Sequence, residues 1–151
     1  MKIKTIKMIL ESFKKDAKNV SYKDAESLYK KLSKKEKKFV APRGDYIDSP
    51  KLSFRLGEYE DDELTAFIDI YEFKKGEGFI IIAVDPYHRG KGLAKKLLNK
   101  AIKEAKEKGL KKLIYKVDKD NESSISFVEN FGKGIKEVED NDDDIVFEKE
   151  L

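Results

Sequence analysis

Eleven residues near the middle of the chain, Val84-Asp85-Pro86-Tyr87-His88-Arg89-Gly90-Lys91-Gly92-Leu93-Ala94, are of the types that could hold an anion. An apolar run, Phe79-Ile80-Ile81-Ile82-Ala83-Val84, ends at this point and a long amphipathic pattern begins. The first backbone N–H groups of a helix have no internal partner, and the helix dipole adds partial positive charge beside them. Such a terminus suits phosphate. Gly90 and Gly92 allow a ligand to approach the backbone closely. Lys91, Lys95 and Lys96 add mobile positive charge. Many helices open on a glycine turn and bind nothing, so the segment alone sets up an anion site as an expectation.

The elements that must position this turn can be read on either side of it. The run 79–84 is continuous in its apolarity, as in a strand covered on both faces. Leu93, Ala94, Leu97, Leu98, Ala101, Ile102 and Ala105 then form the stripe of a long helix, which Gly109 can end. Leu113 to Val117 reads as a further strand. Strand, helix and strand over 79–117 make a βαβ unit with a right-handed crossover and parallel strands. Upstream, Leu52, Phe54 and Leu56 alternate, Glu60-Asp61-Asp62-Glu63 makes a charged hairpin turn, and Leu64 to Phe73 is a longer strand. Lys74 to Gly78 turns the chain again. Asn121 can cap a short helix running to Phe131, and Ile135–Val138 and Ile145–Glu148 close the pattern. At the start, Lys2 to Ile6 alternates, and Ile9, Leu10, Phe13 and Ala17 recur at helical spacing. Ser21 caps a second helix, Ser33 a short lysine-rich one, and 41–50 reads as a loop. The fold class is α/β of mixed type. It is a single domain over 1–151, with a mixed sheet of six to seven strands flanked by about four helices.

Composition narrows the chemistry. Leu, Ile, Val and Phe number 42 of 151 residues, well above the level of about 20% below which chains tend to be disordered. There is no cysteine, which removes disulfides, thiolate metal sites and a cysteine nucleophile. His88 is the single histidine, so no multi-histidine metal centre exists, and no metal site is expected. No apolar stretch approaches the roughly 20 residues that span a bilayer, and no signal peptide is visible, so the expected location is cytoplasmic, away from membranes. Residues 1–40 carry thirteen lysines and five acids, and residues 137–151 carry eight acids and one lysine. No aromatic-basic ribbon or zinc module accompanies the lysines, which argues against nucleic acid as the partner.

The wording of the central segment is more specific than its physics. Arg89-Gly90-Lys91-Gly92-Leu93-Ala94 after Val84-Asp85-Pro86 resembles the Arg/Gln-x-x-Gly-x-Gly/Ala signature of the GNAT superfamily of acyl-CoA-dependent N-acyltransferases. Asn121-Glu122-Ser123-Ser124-Ile125-Ser126-Phe127 resembles the Asn-x-x-Ala/Ser-x-x-Leu/Phe start of that family's last helix. The resemblance covers about 64–132. It implies a pantetheine arm of acetyl-CoA (or another acyl-CoA) lying between splayed strands at 79–84 and 113–117. It implies a pyrophosphate held by Arg89, Gly90, Lys91, Gly92, Leu93, Ala94 and Lys95. Backbone groups of Ile82, Ala83 and Val84 would pair with the arm and polarise the thioester, and Asn121 and Ser124 would face the cofactor, with Phe127 and Ile125 in the core. The implied reaction is direct transfer of an acetyl group to a primary amine of a small molecule or peptide.

The chain departs from the family at two places. Val128 stands where many members have a tyrosine general acid, and Gly78 where many have a glutamate base. Glu77, Glu72 and Tyr115 are the substitutes considered, with Asp69, Tyr71 and Tyr87 further afield. Arg43, Asp45 and Tyr46 in the 41–50 loop are candidates for shaping the acceptor pocket. A catalytically impaired acyl-CoA-binding module and a basic adaptor using residues 1–40 stay open beside the enzyme, as does a homodimer.

Overall fold

The computed structural model describes residues 20–39, 51–131 and 134–151. Period-two alternation produces an antiparallel pair, β1 (Lys51–Glu60) and β2 (Glu63–Lys74). Their turn places Asp61 and Asp62 at φ of 50° and 64°. That paired left-handed conformation matches the twist of a tight hairpin, and Asp is among the residues that tolerate it. A second turn at Gly76 leads into β3 (Glu77–Val84). A short 3-10 turn, Pro86–His88, then separates β3 from α3 (Leu93–Glu107). Next come β4 (Lys112–Asp118), α4 (Glu122–Phe131), β5 (Ile135–Asp140) and β6 (Asp144–Glu150). Two helices precede the sheet, α1 (Tyr22–Lys31) and α2 (Lys34–Phe39). Ser21 caps α1 by accepting from the Asp24 N–H, as its residue type predicts. The six strands lie in the order β1-β2-β3-β4-β6-β5, with β3 and β4 parallel and the other neighbours antiparallel. The mixed α/β class and the βαβ unit at 79–117 are those read from the sequence. The expected strand at 2–6, the helix around 9–17 and the loop 41–50 lie outside the described residues. Among the described residues no helix is long and apolar enough to cross a membrane.

Strand alternation divides the apolar residues between two faces of the sheet. Phe67, Tyr71, Phe79, Ile81 and Ala83 face α1, where Ala25, Leu28 and Leu32 cover them. Ile68, Ile70, Ile80 and Leu113 face the stripe Leu97, Leu98, Ala101 and Ala105 of α3. The other side of α3 is basic. Lys96 and Lys100 reach the Glu58 carboxylate on β1 at 3.2 and 2.7 Å.

On the α1 face, Arg55 and Asp69 oppose each other across β1 and β2 and are both essentially inaccessible to solvent. The guanidinium donates from Nε to Oδ1 at 2.5 Å and from Nη2 to Oδ2 at 2.8 Å, and the Tyr71 hydroxyl donates to Oδ2 at 3.1 Å. Two ionised groups withdrawn from water this way are tolerable only as a pair.

The parallel join is the feature that positions the site. β3 and β4 pair only through Glu77–Lys112, Gly78–Leu113 and Phe79–Ile114. Beyond Phe79 the two strands part, while β3 stays paired with β2 and β4 with β6. Gly78 holds the closed end. A Cβ there would lie 2.8 Å from Ile70 Cγ2, 3.0 Å from Leu113 Cδ2 and 3.2 Å from Leu110 Cδ1. This is a close apolar contact with no room for a carboxylate, which explains why the chain carries glycine here.

Two stability outcomes follow. Asp69→Ala leaves the Arg55 charge buried without its carboxylate and lowers the unfolding free energy by about 3–5 kcal/mol in urea titration. A loss under about 1 kcal/mol contradicts the buried pair. Gly78→Ala overpacks the closed end and lowers it by about 1–3 kcal/mol. An unchanged denaturation midpoint contradicts the close packing.

Candidate active site

The parted strands open onto a cavity of about 640 Å³. β3 contributes Ile82, Ala83 and Val84 to its lining, the following turn Arg89, Gly90 and Gly92, and the first turn of α3 Leu93, Ala94 and Lys95. Tyr115 enters from β4, and Asn121, Ser124 and Phe127 from α4. Beyond Phe79, β3 has no strand partner on the edge toward β4 among the described residues. Backbone groups on such an edge need partners from a ligand or from water.

The turn at the mouth is built by side chain-to-backbone bonding. Asp85 is buried, and its carboxylate accepts from the Tyr87 N–H at 2.9 Å and from Lys31 Nζ at 3.2 Å. Its backbone N–H donates to the Thr65 carbonyl at 2.8 Å, and its own carbonyl accepts from the His88 N–H at 2.9 Å. Burial opposes the charge of Asp85, but the Tyr87 N–H and the Lys31 ammonium together hold its carboxyl below the usual range. Gly90 and Gly92 follow at φ of 80° and 76°, where a side chain would strain the backbone, and nothing lies within 4 Å of a Cβ at either. Gly92 caps α3 with no side-chain hydrogen bond. The first N–H groups of α3 thus receive no capping side chain, in a turn with open space beside both glycines. This is a fit for a pyrophosphate.

The lysines divide in a way that spacing alone did not reveal. Lys91 is absent from the lining, because its ammonium turns to Glu60 on β1 at 3.3 Å, and His88 Nε2 approaches the same carboxylate at 3.4 Å. Lys96 is held by Glu58. Of the three expected to serve the anion, Lys95 is the one at the cavity. Arg89 also lines it. Its Nη2 donates to the Val84 carbonyl at 3.3 Å and pairs with the Glu36 carboxylate of α2.

Leu32, Lys35 and Glu36 close this side of the cavity, a contribution the sequence reading missed. The available signal was the capping box Ser33-x-x-Glu36, in which the Glu36 N–H donates to Ser33 Oγ at 3.1 Å and the Ser33 N–H to Glu36 Oε1 at 3.0 Å. Burial works against the Glu36 charge, but the Ser33 N–H and the Arg89 guanidinium hold its carboxyl below the usual range.

At the inner end, Asn121 caps α4. Its Oδ1 accepts from the Ser124 N–H at 3.3 Å and its carbonyl from the Ile125 N–H at 3.1 Å. Its amide Nδ2 donates to Ser124 Oγ at 2.9 Å, and the Tyr115 hydroxyl donates to the same oxygen at 3.2 Å. Burial raises the Tyr115 phenol above its ordinary pKa, more than the Ser124 bond offsets. Phe127 lines the cavity as well as packing with Val117, Val128 and Phe147. The spacing 121, 124, 127 puts all three on one helical face, a periodicity that would have moved Phe127 from the core to the site.

Of the substitutes considered for proton transfer, Glu72 and Glu77 lie outside the lining. Glu77 stands at the closed end of the strand pair, against Lys74 at 3.4 Å and Lys112 at 4.0 Å. Glu72 accepts from the Gly76 N–H at 3.4 Å in the hairpin. Asp69 and Tyr71 are held in the Arg55 cluster. Tyr87 is 88% exposed and outside the lining. Val128 is buried. The acidic hairpin tip is not simply solvated, since Glu60 faces Lys91 and His88 and Glu63 pairs with Lys31. Arg43, Asp45 and Tyr46 lie outside the described residues.

Comparison with known proteins agrees with this geometry. No curated protein sequence matches the chain. Among solved structures, the GNAT domain of PAT from S. lividans superposes with a TM-score of 0.69 at 18% identity, over 85% of this chain and 84% of that one. An N-acetyltransferase from Staphylococcus aureus Mu50 has a TM-score of 0.54 at 27% identity, over 64% and 67%. yncA of Salmonella typhimurium, solved with its cofactor acetyl-CoA, has a TM-score of 0.56 at 22% identity, over 65% and 64%. The family model described as the acetyltransferase (GNAT) family matches residues 15–132, which hold β3, the glycine turn, α3 and α4, and the chain therefore belongs to that family.

Proposed function

We propose that the protein transfers an acetyl group from acetyl-CoA to a primary amine of a small molecule or peptide. The observation that carries this reading is the parting of β3 and β4 after Phe79, which leaves an unpaired strand edge running toward the uncapped start of α3. An extended arm bearing amides can satisfy such an edge as an added strand does. A diphosphate suits the helix start. The acetyl-CoA-bound structure of yncA, of the same fold, supports the choice of cofactor.

Acetyl-CoA, when bound, supplies an activated acyl carbon and a thiol leaving group. The chain's own residues bind and orient it. The N–H groups from Gly90 to Lys95, with the Lys95 ammonium and the Arg89 guanidinium, receive the pyrophosphate. Glu36 shares Arg89, so α2 joins the cofactor site. Backbone groups of Ile82, Ala83 and Val84 take the amides of the arm, and a backbone N–H there polarises the thioester carbonyl. A donor fixed where negative charge develops, in a site that excludes water, lowers the barrier without reorganising at the moment of reaction. Holding both reactants in one cleft supplies further acceleration. Glu72 and Glu77 are engaged elsewhere and take no part in deprotonating the amine.

Calorimetric titration with acetyl-CoA is expected to show saturable binding that is weaker for ADP. Gly92→Glu sets a carboxylate against the phosphates and is expected to weaken binding about a hundredfold or more. Its strain of roughly 1–2 kcal/mol leaves the chain folded, as thermal unfolding will report. Unchanged affinity in that variant, or no binding by the wild type at millimolar acetyl-CoA, overturns the assignment. Thiol release in the presence of a panel of primary amines then identifies the acceptor class, and release equal to the amine-free rate across the panel counts against transfer.

A further inference from the structure

The chain lacks the helix tyrosine that many relatives use beside the leaving sulfur, and Val128, at that position, is packed with Val117 and Phe147. Among the described residues Tyr115 is the one tyrosine in the cavity lining, and it arrives from the opposite side, on β4. Ile114 is the last β4 residue paired with β3, so Tyr115 sits where the two strands part. That is the inner end of the cavity. The glycine turn holds the other end, so an arm anchored there by its phosphates brings its thioester toward Tyr115.

The hydrogen bonds at this end leave a donor over. Ser124 Oγ accepts from the Asn121 amide, a group that cannot do otherwise, and shares a 3.2 Å bond with the Tyr115 hydroxyl. Two hydroxyls joined by one bond have two protons, of which that bond uses one. With Tyr115 donating, the Ser124 proton remains, and with the roles reversed it is the Tyr115 proton. No other hydrogen bond to either hydroxyl is present among the described residues. Both side chains line the cavity.

The geometry points to the Tyr115–Ser124 pair as the group that donates a hydrogen bond to the coenzyme A sulfur as it leaves. The inference deepens the proposed function and rests on it. The bond broken is carbonyl carbon to sulfur, and its electron pair goes to sulfur. The pair stabilises the resulting thiolate while both hydroxyls keep their protons. Full transfer is uphill, because a thiol is a stronger acid than a phenol, whose ordinary pKa is about 10. Burial of Tyr115 widens that gap. Ser124 contacts the sulfur, and Tyr115 acts with it as a positioning residue, locking the hydroxyl that faces the arm.

The test needs no acceptor amine. Binding of coenzyme A and of desulfo-coenzyme A is measured from pH 6.5 to 10.5. A donor at sulfur lowers the thiol pKa in the complex below its value in free coenzyme A. Affinity for coenzyme A therefore rises, relative to the desulfo compound, as pH climbs from the bound to the free pKa. The expected rise is about tenfold, one unit of pKa. Ser124→Ala abolishes the rise, and Tyr115→Phe reduces it, each read as the ratio to desulfo-coenzyme A in the same variant, so that any general change in cofactor affinity cancels. A flat ratio in the wild type, or a rise that survives both substitutions, overturns the inference and leaves the cofactor site standing. Failure of both compounds to bind the wild type removes the proposed cofactor site itself.

Discussion

One short strand pairing governs the molecule. β3 and β4 are joined by three residue pairs and then diverge, although each remains fully paired on its other side. The join is kept tight by the missing side chain at Gly78, which lets Ile70, Leu110 and Leu113 close over the backbone. The divergence leaves backbone polar groups on one edge of β3 without strand partners among the described residues, and such groups are costly to bury unless something fills the gap. The cavity, its lining and the direction an extended ligand must take all follow from where that pairing stops. Closing the sheet further would satisfy the backbone and remove the site.

Electrostatics then assigns the surplus of lysine. A surface ion pair contributes little to stability on its own, but pairing decides which cations face the cavity. Glu58 takes Lys96 and Lys100, and Glu60 takes Lys91 with His88 nearby. Both carboxylates come from β1, which brings acidic residues beside the basic helix. Lys35, Arg89 and Lys95 line the cavity. Glu63 and Asp85 converge on Lys31, tying the β1–β2 turn, the turn after β3 and α1 together. The buried Arg55–Asp69 pair lies on the α1 face, away from the cavity lining, and fixes the register of β1 on β2.

The sequence by itself determined the elements and the glycine turn, because both are local. Alternation and helical spacing set which residues face a core, and Gly90, Gly92, Ser21 and Asn121 act on backbone within a few positions of themselves. The two motifs therefore located the cavity's mouth and the cap of α4 before any fold was known. Three things were decided only by the tertiary structure. The fate of Lys91 depended on Glu60, far away in sequence, reaching it across a hairpin. The entry of α2 through Glu36 depended on a contact with Arg89 between elements that no periodicity links. The exclusion of Glu72 and Glu77 from the cavity lining, and the entry of Tyr115 rather than Tyr87, depended on where two parallel strands separate. That point is set by packing around Gly78, a long-range balance of volume and backbone pairing that no local spacing records.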